Sequence, residues 1–214
     1  MVKHDQRGFT LVEFLIATLV TMMVVAGAVN VTTQMQLTYN TQMDRAGARD
    51  EARFAADWIA RELRAAGANP YAITTSNCPA AGTNFLPIRL DPDGDGTDDD
   101  IRLNADSNPP NGLLGGDAGA CAETNEDVTI AHDPDTRVIT RLDNNLGGAP
   151  EAMTDSVITQ LQFIYLDAAR AVTANPATIA FVQIVVTAQG QRMDPEGEGF
   201  VTYTAQSEVR LRAR

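Results

Sequence analysis

The chain has 214 residues, of which 44% are hydrophobic and 21% charged, a composition typical of a folded domain and not of a disordered tail. Asp and Glu total 28 against 16 Lys and Arg, so the net charge is -12. This balance argues against nucleic-acid binding over the whole surface, because phosphates need a basic footprint. With two histidines and two cysteines, a His-rich metal site and a four-cysteine zinc site are excluded.

The amino-terminal part predicts a single membrane-spanning helix. Residues 1–8 are polar and carry Lys3 and Arg7, and residues 9–31 are apolar except for Glu13. About 20 apolar residues span a bilayer as a helix, and the positive flank predicts that residues 1–8 stay in the cytoplasm. A secretory signal peptide is the alternative, with the Ala-Gly-Ala of residues 26–28 as its cleavage site. The apolar run is longer than the core of a usual signal peptide, and placing the Glu13 carboxylate in lipid costs free energy that a plain signal peptide has no reason to incur. Both features favour a membrane anchor over a signal peptide.

The segment GFTLVE, residues 8–13, resembles the processing site of type IV prepilins and type II secretion pseudopilins. The resemblance implies that a membrane peptidase removes residues 1–8 by cutting after Gly8 and methylates the new amino terminus at Phe9. Glu13 is then the fifth mature residue, and the resemblance implies a role in filament assembly. Inside a filament core, a carboxylate and a neighbour's amino terminus offset part of each other's desolvation.

The helix is predicted to continue beyond the membrane segment (residues 9–30) as an amphipathic stem over residues 31–67. No proline interrupts residues 30–66, apolar residues recur at helical spacing, and Gly67 followed by Pro70 predicts the end of the helix. Residues 48–71 also resemble the end of the stem in PilW-like minor pilins. We expect four apolar side chains of this part to pack against a sheet: Phe54, Trp58, Ile59 and Leu63.

Residues 68–214 are predicted to form a globular head, an antiparallel β-sheet with irregular loops. The fold class is therefore α+β, and the resemblance makes it type IV pilin-like, with the long amino-terminal helix packed on the sheet. His132 falls in a predicted hairpin turn at residues 132–135 and is expected to be exposed. Strands are predicted at residues 85–90, 100–104, 127–131, 136–142, 157–167, 178–188 and 200–212.

Two cysteines, Cys78 and Cys121, bracket the most irregular part of the head. Because the compartment beyond the membrane is oxidising, we expect a disulfide between them. It would close a loop of about 44 residues and contribute about 3–4 kcal/mol in the chain-entropy description. Two unpaired thiols are the alternative.

The same irregular region contains an acidic run, DPDGDGTDDD, at residues 91–100. Six carboxylates in ten residues repel each other unless they share a cation, and a structural calcium ion is the interpretation that we favour. Position twelve is Arg102, where an EF-hand has a bidentate glutamate, so the motif is incomplete and a solvated acidic turn is the alternative. Asp98, Asp100 and Asp106 are candidates for the missing oxygen. The candidate ligands at EF-hand spacing are Asp91, Asp93, Asp95, Thr97 and Asp99.

No nucleophile elbow and no phosphate-binding glycine loop occurs in the sequence, so no enzymatic activity is expected. The resemblance, which extends to residues 153–168 and 202–214, implies a PilW-like minor pilin that primes type IV pilus assembly near the filament tip. A GspJ-like minor pseudopilin of type II secretion is a close alternative. A calcium-dependent adhesin or DNA-contacting tip module is a third, because of the acidic run and the basic ending RLRAR.

The resemblance also implies partners and a location. The partners are other minor and major pilins or pseudopilins, the prepilin peptidase, the inner-membrane assembly platform and membrane lipid, and nucleic acid is not expected. The location is the bacterial inner membrane, crossed once with the head in the periplasm, and afterwards the pilus or pseudopilus filament.

Overall fold

The computed structural model describes residues 10–74, 85–107, 110–115, 123–193 and 199–211. These residues form one α-helix and eight β-strands, which confirms the predicted α+β class, and they divide into two compact units at Asp44. The helix is α1 (Leu11–Ala65). The strands are β1 (Ile88–Leu90), β2 (Asp100–Asn104), β3 (Asp127–Asp133), β4 (Val138–Asp143), β5 (Glu151–Ala152), β6 (Ile158–Leu166), β7 (Phe181–Met193) and β8 (Phe200–Arg210).

In the first unit, α1 has no packed face. Every large apolar side chain from Leu11 to Met43 is more than half exposed. By length and composition α1 can cross a membrane, a test that a signal sequence near the amino terminus also passes. Since threonine hydroxyls along this segment donate to carbonyls one turn back, from Thr21 to Ala17 at 2.7 Å for example, their polar atoms are satisfied within the helix.

The strands of the second unit form two antiparallel sheets where the sequence pattern suggested one. Sheet A is five-stranded in the order β1-β2-β3-β4-β5, and sheet B is three-stranded in the order β6-β7-β8. Alternation of apolar residues predicts which face of a strand is buried, but it does not predict which strand pairs with which. β1 starts later than predicted, after Pro87, which has no N–H to give to a sheet.

The turn between β3 and β4 follows Asp133, so His132 lies on a strand. Its side chain is 5% exposed, and its Nε2 is 3.2 Å from the Ile158 carbonyl oxygen of β6. The expectation of an exposed turn histidine was therefore wrong. The cause is the pairing of His132 with Ile139, which extends β3 two residues beyond its predicted end.

One hydrophobic core joins the helix from Ala48 onward to the inner faces of both sheets. Three of the four predicted helix contacts are buried, but Phe54 is 46% exposed. With about 100° of rotation per residue, Phe54 falls just outside the buried face, beyond Trp58 at its edge. Much of that buried helix face is alanine, which lets the helix lie close to the strands: Ala48, Ala52, Ala55, Ala56 and Ala60.

Candidate functional site

The first candidate site is the start of α1. Glu13 N–H donates to Thr10 Oγ1 at 3.3 Å, and Thr10 N–H donates to Glu13 Oε2 at 2.9 Å. The Thr10 hydroxyl also donates to Glu13 Oε2, at 2.9 Å. This reciprocal pair is a capping box, in which a threonine and the acid three residues later satisfy the free N–H groups at a helix start. The T-x-x-E spacing was a sequence signal for this cap that our sequence analysis missed.

Two other predicted sites lie outside the described residues. They are the cleavage and methylation residues, Gly8 and Phe9, and the predicted disulfide partners, Cys78 and Cys121. The described part of the amino-terminal site is therefore the helix start from Thr10, where the Glu13 side chain is exposed and its carboxylate lies in the first turn. That position is favourable for a negative charge, because the helix dipole is positive at its amino-terminal end.

The second candidate site is the loop between β1 and β2. The antiparallel pairing of Leu90 with Ile101 places the next residues, Asp91 and Asp100, opposite each other at the mouth of this loop. Carboxylate oxygens of Asp91, Asp93 and Asp100 all lie within 4.8 Å of one another. We call these three residues the acidic triad.

Asp91 organises the loop backbone as well. Its two carboxylate oxygens accept hydrogen bonds from Gly94 N–H at 2.8 Å and Gly96 N–H at 3.1 Å. Both glycines have positive φ, at 78° and 86°, which a residue without a Cβ adopts without strain. The loop thus curls around the Asp91 carboxylate.

The remaining predicted ligands lie in a different arrangement. The Thr97 hydroxyl hydrogen-bonds to Asp95 Oδ1 at 2.7 Å and to Asp99 Oδ1 at 2.5 Å. Asp99 Oδ2 is 3.9 Å from His132 Nδ1. Asp98 accepts the Phe163 N–H through its carbonyl oxygen at 2.7 Å. The structure brings the first two predicted aspartates together with Asp100, and not with Asp95 or Asp99.

The other two residues around the incomplete motif have partners elsewhere. Arg102, at position twelve, donates from Nε and Nη2 to the carboxylate of Asp127, each at 2.6 Å. Asp106 accepts the N–H groups of Asn111 and Gly112, each at 3.0 Å. Neither residue belongs to the acidic triad.

Asp100 has an unusual electrostatic environment. It is 2% exposed, its Oδ2 accepts the Asp93 N–H at 3.2 Å, and its Oδ1 is buried without a hydrogen-bond partner among the described residues. Burial raises the pKa of Asp100 to about 7, and the charges of Asp93, Asp91 and Asp99 add to the increase. An ionised Asp100 therefore needs a positive partner that the neighbouring side chains of the loop do not provide.

A buried hydroxyl lies in the same electrostatic environment. Tyr165 of β6 is 4% exposed, and its hydroxyl has no hydrogen-bond partner in the described structure. Burial raises the pKa of Tyr165, and the charges of Asp98, Asp100 and Asp91 raise it further. Tyr165, like Asp100, thus carries a buried polar atom that has no hydrogen-bond partner among the described residues.

Comparison with known proteins identifies the amino-terminal site. A family model, the prokaryotic N-terminal methylation motif, matches residues 3–29. The motif indicates a prepilin-like protein. Such a motif implies interaction with other pilin or pseudopilin subunits in general, and the apolar start of α1 is consistent with membrane anchoring. The chain has no match among the curated proteins and none among the solved structures.

Proposed function

We propose that this prepilin-like protein is a non-enzymatic minor pilin that primes type IV pilus assembly at the filament tip. Prepilin peptidase cuts it after Gly8 and methylates Phe9, and the partners are other minor and major pilins and the inner-membrane assembly platform. The head lies in the periplasm before the subunit enters the filament. Support comes from the methylation motif at residues 3–29 and from the resemblance of residues 48–71 to PilW-like stems.

The observation that carries this proposal is the unpaired apolar surface of α1 between Leu11 and Met43. Covering side chains of this kind is worth on the order of 1.5–3 kcal/mol each, so leaving the whole segment in water would cost tens of kcal/mol. Lipid covers the segment while the subunit is in the membrane, and the apolar helices of other subunits cover it in a filament. An ordinary soluble protein has no use for such a surface.

Glu13 places a carboxylate on that apolar surface, and a role in assembly explains why it is there. In the uncleaved chain its carboxylate is held by Thr10, on the exposed first turn of the helix. After cleavage, the amino terminus of a neighbouring subunit can approach this carboxylate and replace the capping bonds. The pair then enters the filament core as opposite charges, because either charge alone would be expensive to desolvate.

The first test is mass spectrometry of the amino terminus, on protein recovered from membranes and from sheared filaments. We expect a chain that begins at methylated Phe9 in both fractions. A chain that begins at Met1 would indicate a plain signal anchor, and one that begins near Val29 a secreted protein. Either result would contradict the proposal.

The second test uses Glu13→Gln, which keeps the shape of the side chain and removes its charge. We expect normal processing at Phe9 but at least a tenfold smaller amount of the variant in sheared filaments. Thr18→Val, in the same apolar segment but without a charge, is the matched control and should enter filaments normally. Equal incorporation of Glu13→Gln and wild type would contradict the charge-pairing role.

The alternative function is that of a GspJ-like type II secretion minor pseudopilin, which has the same processing and the same helix surface. A deletion strain distinguishes the two. We expect loss of surface pili, restored by the wild-type gene, with unchanged secretion of exoproteins. Loss of secretion with normal piliation would instead support the pseudopilin.

A further inference from the structure

We infer that the β1–β2 loop binds a structural Ca²⁺ ion through the carboxylates of the acidic triad, Asp91, Asp93 and Asp100. This site is separate from the processing and assembly site at the start of α1 and does not depend on the proposed function. Calcium takes six to eight oxygen ligands, so backbone carbonyls of the loop and water complete its shell.

The pairing of the strands is the first argument for the site. Like charges directly opposite each other in an antiparallel pair are destabilising. The register that pairs Leu90 with Ile101 nevertheless brings Asp91 and Asp100 together, and the loop returns Asp93 to the same place. Three carboxylates in this position are stable together when a cation lies between them.

The burial of Asp100 is the second and independent argument. Asp100 is 2% exposed, one of its carboxylate oxygens lies within 4.8 Å of oxygens of the other two acids, and its Oδ1 has no hydrogen-bond partner among the described residues. A buried acceptor without a partner costs about 1–3 kcal/mol, and more when it is charged. A cation bound to this carboxylate offsets the cost of burying it, and an exposed acidic turn would not need such a residue.

The spacing of the oxygens fits calcium. Two oxygens bound to the same Ca²⁺ at 2.3–2.6 Å can be about 5 Å apart, whereas Mg²⁺ at 2.0–2.1 Å spans about 4 Å. The triad oxygens lie within 4.8 Å of one another, close to the separation of two ligand oxygens on one Ca²⁺ ion. Mg²⁺ also demands near-octahedral geometry and gives up its waters reluctantly, which a loop with one buried and two accessible acids does not favour.

The ion would stabilise more than the loop itself. Asp100 begins β2 of sheet A, and the carbonyl oxygen of Asp98, two residues earlier, accepts the Phe163 N–H of β6 in sheet B at 2.7 Å. Asp99 accepts the His132 N–H of β3 at 3.2 Å through its carbonyl oxygen. Fixing residues 91–100 therefore fixes a junction between the two sheets.

The experiment is calcium titration of the purified full chain in detergent micelles, by isothermal calorimetry and by the thermal midpoint of Trp58 fluorescence. We expect a dissociation constant on the order of 10⁻⁴–10⁻³ M, and a midpoint that rises by several degrees in 5 mM CaCl₂ and by much less in 5 mM MgCl₂. Absence of binding at 5 mM CaCl₂ would overturn the inference.

The variants compare charge changes of the same kind within one loop. Asp93→Asn and Asp100→Asn should each weaken calcium binding by about tenfold or more, because each removes a charged ligand. Asp95→Asn, which the structure places on Thr97 and outside the triad, is the matched control and should change the affinity by less than about threefold. Equal effects of Asp95→Asn and Asp100→Asn would show only a diffuse attraction to the acidic loop and would overturn the site.

The stability of Asp100→Asn with and without calcium also distinguishes a calcium ligand from a carboxylate that only stabilises the fold. In EDTA, Asp100→Asn should be as stable as wild type or more stable, because it removes a buried repelled charge, while it abolishes the calcium-induced rise of the midpoint. Lower stability in EDTA with an unchanged calcium response would contradict the assignment. Should Asp100→Asn not fold, the exposed Asp93→Asn decides alone, and unchanged calcium affinity in that variant would overturn the inference.

Discussion

Asp127 is fully buried, and the structure satisfies its charge with several partners at once. Arg102 reaches it with two hydrogen bonds of 2.6 Å, and Asn144 Nδ2 donates to Asp127 Oδ1 at 2.9 Å. The Asp127 side chain is 0% exposed and that of Arg102 is 16% exposed. Planar two-point contact and a third donor offset a desolvation cost that a single ion pair would not overcome.

We predict that Asp127→Asn lowers the free energy of unfolding by about 3–5 kcal/mol, because it removes the fully buried charge to which Arg102 donates two hydrogen bonds. The measurement is urea unfolding of the full chain in detergent, followed by the fluorescence of Trp58. Glu208→Gln is the matched control. It removes a carboxylate from the two-point pair with Arg170, which is 61% exposed, and should cost at most about 1 kcal/mol. Similar losses in both variants would contradict the role of burial.

At the level of single residues, some members of the candidate sites could be predicted from the sequence and others could not. Asp91 and Asp93 follow from EF-hand spacing, and both lie in the acidic triad. The third member was predicted only as one of three candidates, because Asp100 reaches the others through strand register and not through loop position. The Arg102–Asp127 pair joins residues 25 apart in the chain, and no local pattern indicates such a partner.

The end of α1 shows how one element is fixed at its boundary. Gly67 follows the last helical turn with φ of 77°, and its N–H donates to the Asn104 carbonyl of β2 at 2.8 Å. A Cβ at this position would lie 3.2 Å from the Cβ of Pro87. The glycine therefore serves a left-handed helix end and a close approach to the segment before β1.

We predict opposite effects of the same substitution at two glycines. Gly67→Ala should destabilise the protein by about 1–2 kcal/mol, because an L-residue is strained at positive φ and Pro87 must move. Gly47→Ala should stabilise it by about 0.5–1 kcal/mol, since Gly47 is an exposed helix-interior residue with open space around its Cβ position. Thermal midpoints followed by Trp58 fluorescence measure both. A stabilising Gly67→Ala would show that the helix end tolerates a Cβ.

The helix and the strands were more predictable from the sequence than their arrangement in the fold. The continuous helix follows from apolar spacing without proline, and its end from Gly67 and Pro70, because these signals are local. β7 alternates buried and half-buried residues along most of its length, which is the period that the sequence shows. The division of the strands between two sheets, and the short strand β5 beside β4, depend on contacts that the chain makes after folding.

For the whole molecule, the decisive property is that the large apolar side chains of its two units differ in solvent exposure. From Leu11 to Met43 the large apolar side chains are exposed, and from Ala48 onward a buried core unites the helix with both sheets. The second unit therefore has its own source of stability, whereas the apolar surface of the first must be covered by another molecule.

We predict that the full chain is dispersed in detergent and associates when the detergent is diluted below its critical micelle concentration. The fluorescence spectrum of Trp58 should stay that of a buried indole during association. Trp58 is buried in the hydrophobic core of the second unit, and association involves the apolar surface of the first unit. Light scattering and emission spectra recorded on the same sample check both statements. A red shift of the emission that accompanies association would mean that the two units lose structure together.

The alanines on the buried face of α1 constrain how this chain can change over evolutionary time. Ala52, Ala55 and Ala60 are each 0% exposed, so a larger side chain at any of them would push the helix away from the strands. Such overpacking costs about 1–3 kcal/mol, which is a large part of the stability of an ordinary domain. We therefore expect neutral drift to proceed freely in the loops and on the outer strand faces, and to leave these positions as glycine, alanine or serine.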